Sequence, residues 1–95
     1  MPNATKSGKV WPVEHALSKH AAEMMARRRI PRECMERALD QPQRVQNDSN
    51  DPNVVHHLRA FAEYGDRVLR VLYNRAVSPV KIVSVFWDRR MKGKL

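Results

Sequence analysis

Cysteine is almost absent from the sequence, and Cys34 is its only representative. A single cysteine cannot form an intramolecular disulfide, and it offers no thiolate pair for a structural zinc site. Long apolar runs are also missing, because the longest, at residues 82–87, is interrupted by Ser84 and is too short to span a bilayer. Residues 1–9 lack the apolar segment of a signal peptide. These absences predict a cytoplasmic protein that makes no membrane contact.

Acidic residues are few, with ten Asp and Glu against eighteen Lys and Arg, which leaves a formal charge of +8. Twelve of the eighteen basic residues are Arg, whose planar guanidinium binds phosphate bidentately and stacks on nucleic-acid bases. A surface of this kind attracts phosphate-bearing polymers and releases their counterions on binding. The excess charge therefore predicts RNA as the partner. The alternatives are that it only keeps the domain soluble or that it meets an acidic protein.

The length of the chain, 95 residues, is that of one domain. Residues 1–12 contain Pro, Asn, Ser and Gly without periodicity, and they predict a flexible leader. A single domain is expected at residues 13–91, followed by a basic tail at residues 92–95.

Two helices are predicted after the leader. Apolar residues recur at helical spacing behind Ser18, which is placed as the N-cap, so the first helix runs to about Arg29. Pro31 ends it, because proline disfavours helical geometry at the residue before it yet suits the first turn of a new helix. The second helix starts there and ends before Pro42, and the two helices form an αα-hairpin.

The second half of the chain changes to strand patterning. A short strand is predicted at residues 44–46 and an extended segment at residues 54–64, with a helix over 58–63 as the alternative. Residues 67–73 and 80–87 are the runs richest in β-branched and aromatic side chains. We therefore expect an α+β fold in which the N-terminal αα-hairpin packs on one face of a three- to four-stranded antiparallel sheet.

Strand alternation places Arg70 in the middle of one sheet face and Tyr73 on the opposite face. In the last strand it places Ser84 on one face with Ile82 and Phe86. A buried unpaired charge is costly, so either Arg70 pairs with a carboxylate or its face is an open anion site.

His20 lies two residues beyond the predicted cap of the first helix, where the helix dipole disfavours a charged imidazolium. A neutral imidazole can accept a proton. Cleavage of RNA by its own 2′-hydroxyl needs such a base, an acid for the leaving oxygen and cations near phosphorus. His20, Tyr73 and the arginines are candidates for these three roles. The alternative is that His20 only caps or packs against its helix.

The other reactive side chains give weaker signals. His56 and His57 are adjacent and diverge on any regular backbone, and His15 is five residues from His20, so we predict no metal site. The sequence suggests no cofactor. Cys34 lies on the apolar stripe of the second helix, which predicts burial as a small hydrophobe. In the cluster at residues 27–29, one arginine is expected to be functional and the others to cap the helix or be solvated.

Several short segments resemble the bacterial family 4258 of the domains of unknown function, and the resemblance covers about residues 17–91. The segments are Ser18–Ala21, Arg28–Ile30, Gln41–Gln43, Val68–Val71, Val83–Phe86 and Asp88–Met91. The resemblance implies a relation to the RelE-like ribonuclease toxins, whose N-terminal helices pack on a four-stranded antiparallel sheet. It also implies RNA cleavage without metal and, as a partner, an acidic antitoxin-like protein.

The resemblance assigns residues by motif. His20 corresponds to the histidine of the first helix, Arg28 to the arginine of its last turn, Arg70 to the strand arginine, Ser84 to the hydroxyl residue of the final strand, and Arg89 or Arg90 to the closing basic pair. Two positions depart from the pattern, because Met24 stands where a basic residue is common and Arg29 replaces the usual glycine.

The sequence therefore predicts a metal-independent endoribonuclease-like domain of toxin type. Its predicted catalytic residues are His20, Arg70, Tyr73 and Ser84, and its predicted phosphate-binding residues are Arg28, Arg29, Arg89 and Arg90. A non-catalytic RNA- or DNA-binding module and a basic protein that docks an acidic partner are the alternatives.

Overall fold

The computed structural model describes residues 14–95, so the predicted leader at residues 1–12 lies outside the described part. In chain order the elements are β1 (His15–Leu17), α1 (Lys19–Arg28), α2 (Arg32–Asp40), β2 (Arg44–Asn47), β3 (Val54–Phe61), β4 (Arg67–Asn74) and β5 (Val80–Trp87). Short 3₁₀ turns follow β3 at Ala62–Tyr64 and β5 at Arg89–Met91. The predicted α+β class and helical hairpin are confirmed, and residues 54–61 are extended rather than helical.

Local capping sets the ends of α1. The hydroxyl oxygen of Ser18 accepts a hydrogen bond from the Ala21 amide at 3.0 Å, as the sequence predicted. At the other end Arg29 adopts a left-handed conformation with φ of 54°. The amide of Ile30 then donates to the carbonyl of Met25 at 2.9 Å, which closes the helix. Glycine reaches this conformation at little cost, so the arginine here carries some backbone strain.

The sheet has five strands in the order β1-β5-β4-β3-β2. Strand β1 pairs with β5 in parallel, and every other neighbouring pair is antiparallel. The expectation of three or four strands, all antiparallel, was therefore wrong. The missed strand has three residues, and its Leu17 pairs with Ile82 in the last strand of the chain. A strand this short has too few residues to show alternation, and its pairing depends on a distant segment.

A β-bulge interrupts the pairing of β4 with β5. Leu72 lies opposite Ser84 and Tyr73 lies opposite Ile82, so the intervening Val83 has no partner on β4. Ile82 therefore reaches the core together with Val85, three residues later. The predicted alternation put Ser84 on one face with Ile82 and Phe86, and it was wrong for Ile82 because it assumed an uninterrupted strand.

The hydrophobic core lies between the two helices and one face of the sheet. Its largest side chains include Met35 and Leu39 of α2, Phe61 of β3 and Leu69 of β4, each at most 2% exposed. Complete burial of each such side chain stabilises the fold by about 1.5–3 kcal/mol. Cys34 is buried among them, as predicted, and burial raises the pKa of its thiol. Within residues 14–95, no helix is long and apolar enough to cross a membrane.

Candidate functional site

Arg70 lies on the sheet face opposite the helices. Its neighbours along β4, Leu69 and Val71, belong to the core beneath the helices, so alternation directs Arg70 to the other side. On that face it lies between Leu58 of β3 and Phe86 of β5. The 3₁₀ turn Arg89–Met91, at the exit from β5, packs against β4.

The guanidinium of Arg70 is bound by three other side chains. Its Nε donates to Oδ2 of Asp88 at 2.9 Å, and its Nη1 donates to Oε1 of Gln46 at 3.3 Å and to Nδ1 of His56 at 2.7 Å. The side chain of Arg70 is 12% exposed and that of Asp88 is 3% exposed. The structure thus contains the carboxylate pairing that was one of the two predicted alternatives for Arg70. Within residues 14–95, no acceptor binds Nη2, which leaves two N–H donors for another anion.

The hydrogen bonds of His56 fix its tautomer. A guanidinium can only donate, so Nδ1 of His56 must accept from Arg70 and carries no proton. The proton of the neutral ring is then on Nε2, which donates to Oδ1 of Asp48 at 2.7 Å. The bond from His56, followed by the amides of Asn50 and Asp51 at 3.0 Å, lowers the pKa of Asp48. Asp48 therefore stays ionised and orients a neutral imidazole against Arg70.

Asp88 joins this cluster to the chain after β5. Its Oδ1 accepts from the amide of Arg90 at 3.1 Å and lies 3.5 Å from Nε of the same residue. Burial acts to raise the pKa of Asp88, but the hydrogen bond from Arg70, the Arg90 amide and the two positive charges outweigh it, so the pKa is lowered. Asp48 and Asp88 together balance the charges of Arg70 and Arg90. The cluster itself is formally neutral, and its attraction for anions must come from the basic residues around it.

The predicted residue Tyr73 lies on the helix side of the sheet, where Arg70 does not reach. Its hydroxyl is 3.3 Å from Nε2 of His57, and the two rings meet edge to face with centroids 5.0 Å apart. Nδ1 of His57 is 3.3 Å from the carbonyl of Ala38 in α2. Because a carbonyl only accepts, Nδ1 carries the proton, and Nε2 can accept from the Tyr73 hydroxyl. Burial lowers the pKa of His57, which keeps this ring neutral beneath α2.

Most of the remaining predicted residues form no hydrogen bond or ion pair with the Arg70 cluster within residues 14–95. His20, Arg28 and Arg29 are exposed, and no side chain of residues 14–95 forms a hydrogen bond or ion pair with theirs. The hydroxyl of Ser84 donates to Sδ of Met24 in α1 at 3.4 Å. Arg89 and Arg90 are both exposed, and Nε of Arg90 lies 3.5 Å from Asp88, which also pairs with Arg70. Of the predicted residues, Arg70 and Arg90 are therefore the two that a shared partner joins.

Four residues of this cluster were missed by the sequence reasoning: Gln46, Asp48, His56 and Asp88. The register of β3 with its neighbouring strands determines the positions of Gln46 and His56. Gln46 lies opposite His56, and His56 lies opposite Leu72 on β4. One signal was present in the sequence. Asp88 directly follows the apolar run that ends at Trp87, and an acidic residue at the end of a buried strand is a natural partner for a cation within the same sheet.

No group of three or more His, Cys, Asp or Glu side chains within residues 14–95 could hold a metal ion. The candidate site thus consists of hydrogen-bond donors, one neutral imidazole and two carboxylates that are already engaged.

A family model described as DUF4258, a domain of unknown function, matches residues 17–87. No curated protein and no solved structure matches the chain.

Proposed function

We propose that this chain, which belongs to the DUF4258 family, is a metal-independent endoribonuclease-like domain of toxin type, related in fold to the RelE-like toxins. The proposed RNA site is the sheet face that carries Arg70. The observation that carries the proposal is the continuous set of hydrogen bonds that joins Asp48, His56, Arg70 and Asp88 in a chain of charge +8. This set holds a neutral imidazole beside a guanidinium whose Nη2 donors have no acceptor within residues 14–95.

The proposed reaction uses the 2′-hydroxyl of the RNA as the nucleophile. The 2′-oxygen bonds to the adjacent phosphorus and the bond from phosphorus to the 5′-oxygen breaks, which leaves a 2′,3′-cyclic phosphate and a 5′-hydroxyl. A base removes the 2′-proton, and an acid supplies a proton to the departing 5′-oxygen. Cations bind the extra negative charge on the non-bridging oxygens in the transition state. No metal ion or oxidant is required for this balance.

Arg70 suits the charge-stabilising role, because its Nη2 donors are uncommitted to residues 14–95 while Asp88 binds its Nε. Two histidines are candidates for the base. His56 is held by Asp48 with an unprotonated Nδ1, which becomes available to the 2′-hydroxyl when a phosphate draws the guanidinium of Arg70 away. His20 is the candidate from the family resemblance, and it is exposed on α1, which packs on the sheet face opposite Arg70.

The test is cleavage of a labelled single-stranded RNA by purified protein in excess EDTA, with DNA of the same sequence alongside. The proposal expects cleavage of the RNA alone, with 2′,3′-cyclic phosphate ends. His56→Asn and His20→Ala then identify the base, because only one of them should lose the activity. RNA left intact by the wild type contradicts the proposal, and so does equal cleavage by the wild type and both variants, which indicates a contaminating nuclease.

A non-catalytic RNA-binding module is the second candidate, and a specific observation favours it. Both ring nitrogens of His56 and three N–H groups of Arg70 are already bound within the protein, so the cluster can act as a rigid scaffold. This candidate expects retention of RNA with a steep salt dependence and no product. In either case we propose that the protein is cytoplasmic and that its exposed basic residues also bind an acidic antitoxin-like partner.

A further inference from the structure

A pocket of about 300 Å³ opens beside the Arg70 cluster, where β4 begins and β5 ends. Its lining consists of Arg67, Val68, Trp87, Asp88, Arg89 and Lys92. Val68 is two residues from Arg70 on the same strand face, and Asp88 borders both the pocket and the Arg70 guanidinium. The pocket therefore lies at the end of the sheet, where Val68 and Asp88 adjoin the Arg70 cluster and Trp87 belongs to the core on the helix side.

The charges that line the pocket are mostly unbalanced. Arg67, Arg89 and Lys92 are exposed, and no carboxylate of residues 14–95 forms an ion pair with any of them. The pocket's carboxylate, Asp88, has one oxygen bound by Arg70 and the other by Arg90. Its repulsion of an anion is thus already offset. Three cations around one small cavity favour a phosphate-bearing ligand.

One side of the pocket is suited to a planar ring. The guanidinium carbon of Arg67 lies 4.6 Å from the centroid of the Trp87 ring, so the cation stacks on the indole. Trp87 is only 7% exposed, whereas Arg67 is exposed and lines the cavity. Nucleic-acid bases stack on Arg guanidinium planes as well as on aromatic rings. A base would stack on the Arg67 guanidinium, which itself lies on the Trp87 indole.

We infer that this pocket binds one nucleotide of a single-stranded RNA, with the base on the outer face of Arg67 and the phosphate between Arg89 and Lys92. The volume is that of a small-ligand site rather than of a folded RNA element. The inference rests on the proposed RNA function in one respect, because it assumes that the RNA bound in the pocket continues to Arg70. The pocket also predicts binding of a free nucleoside monophosphate, which does not depend on any cleavage.

The first experiment titrates adenosine 5′-monophosphate, and separately adenosine, into ¹⁵N-labelled protein. The nucleotide should shift the Trp87 indole signal and the amides of Arg67 and Arg89 in a saturable way, and adenosine should bind more weakly because it lacks the phosphate. Equal binding of the two ligands overturns the phosphate assignment. Absence of shifts at these residues overturns the pocket itself.

The second experiment measures the affinity for a short single-stranded RNA by fluorescence anisotropy. Arg67→Ala should weaken binding by about tenfold, because loss of one base-stacking contact has an effect of this size. Arg67→Lys keeps the charge and should recover only part of the loss. Lys81→Ala is the matched control, because it removes an exposed charge from the opposite end of β5.

Equal weakening by Arg67→Ala and Lys81→Ala contradicts the inference, because net charge alone would then explain it. The inference and the proposed nuclease fail in different ways. Protein that binds the nucleotide at Arg67 but never cleaves RNA refutes the nuclease and leaves the pocket. Protein that cleaves RNA without any effect of Arg67→Ala refutes the pocket and leaves the nuclease.

Discussion

Arg70 and Asp88 form a nearly buried ion pair, in which Nε of the arginine donates to Oδ2 of the carboxylate at 2.9 Å. Arg70 lies in the middle of β4, and Asp88 is the first residue after β5. The amide of Asp88 also donates to the carbonyl of Val68 at 2.8 Å. The pair therefore holds the end of β5 against the face of β4, and it sets the direction in which the guanidinium points.

Removal of the carboxylate should destabilise the fold strongly. Asp88→Asn leaves the largely buried charge of Arg70 without its partner, and breaking such a pair costs about 3–5 kcal/mol. We expect a loss of this order in the free energy of unfolding, measured by urea denaturation. The double variant Asp88→Asn with Arg70→Met should be less destabilised than Asp88→Asn alone. A change below about 0.5 kcal/mol for Asp88→Asn would show that the pair is not a structural contact.

Acid should weaken the protein through Asp48 and Asp88, whose pKa values are both lowered in the folded state. A carboxyl group with a lowered pKa contributes stability above its unfolded pKa of about 3.9, and loses it as the pH falls through the folded value. The free energy of unfolding should therefore fall steeply below about pH 4. Asp48→Asn should reduce this dependence, and Asp66→Asn, at an exposed turn residue, should not. Identical acid profiles for both variants would contradict the assignment.

His57 should give a separate pH dependence near neutrality. Burial beneath α2 lowers its pKa, so the unfolded chain binds a proton at a higher pH than the folded chain does. Stability should then be lost as the pH falls below about 6.5, with a slope of at most about 1.4 kcal/mol per pH unit. His57→Gln should remove this part of the profile, as measured by urea unfolding between pH 5 and 8. Exposed His20 provides the control, and loss of the same slope in His20→Asn would refute the role of His57.

The Ser18 hydroxyl is expected to stabilise the start of α1. Ser18→Ala removes the acceptor for the Ala21 amide and should cost about 1 kcal/mol, while Ser18→Asp should keep most of the stability. Thermal unfolding followed by circular dichroism measures both changes. Ser49→Ala, in an exposed loop, is the control. An equal effect of Ser18→Ala and Ser49→Ala would indicate that the cap contributes nothing.

The helices were predictable because their signals are local. Ser18 marks the start of α1 and Pro31 the break before α2, and each acts through the geometry of its own few residues. Strands β4 and β5 were predictable from their runs of β-branched residues. Strand β1 was not, since its three residues become a strand only by pairing with β5, which lies more than sixty positions later.

The candidate site was only partly predictable, because its partners come together through strand register. The cost of burying a charge made pairing of Arg70 with a carboxylate one of the two predicted alternatives. Which carboxylate meets it depends on where β5 ends, and the position of His56 depends on the pairing of β3 with β4. The bulge at Val83 inserts one residue into β5, so side chains before it point to the opposite face from the one that simple alternation predicts. No local pattern indicates such a bulge.

The central claim is that Arg70 acts on RNA, and the rate of RNA cleavage by Arg70→Gln tests it most directly. The variant keeps a hydrogen-bond donor for Asp88 but removes the positive charge, and its folding is checked by circular dichroism. Loss of one transition-state contact of this kind costs about 100- to 1,000-fold in rate. We predict a loss of that order for Arg70→Gln in single-turnover cleavage in EDTA, and an unchanged rate for Lys81→Ala. A folded Arg70→Gln protein that cleaves RNA at the wild-type rate would contradict the account.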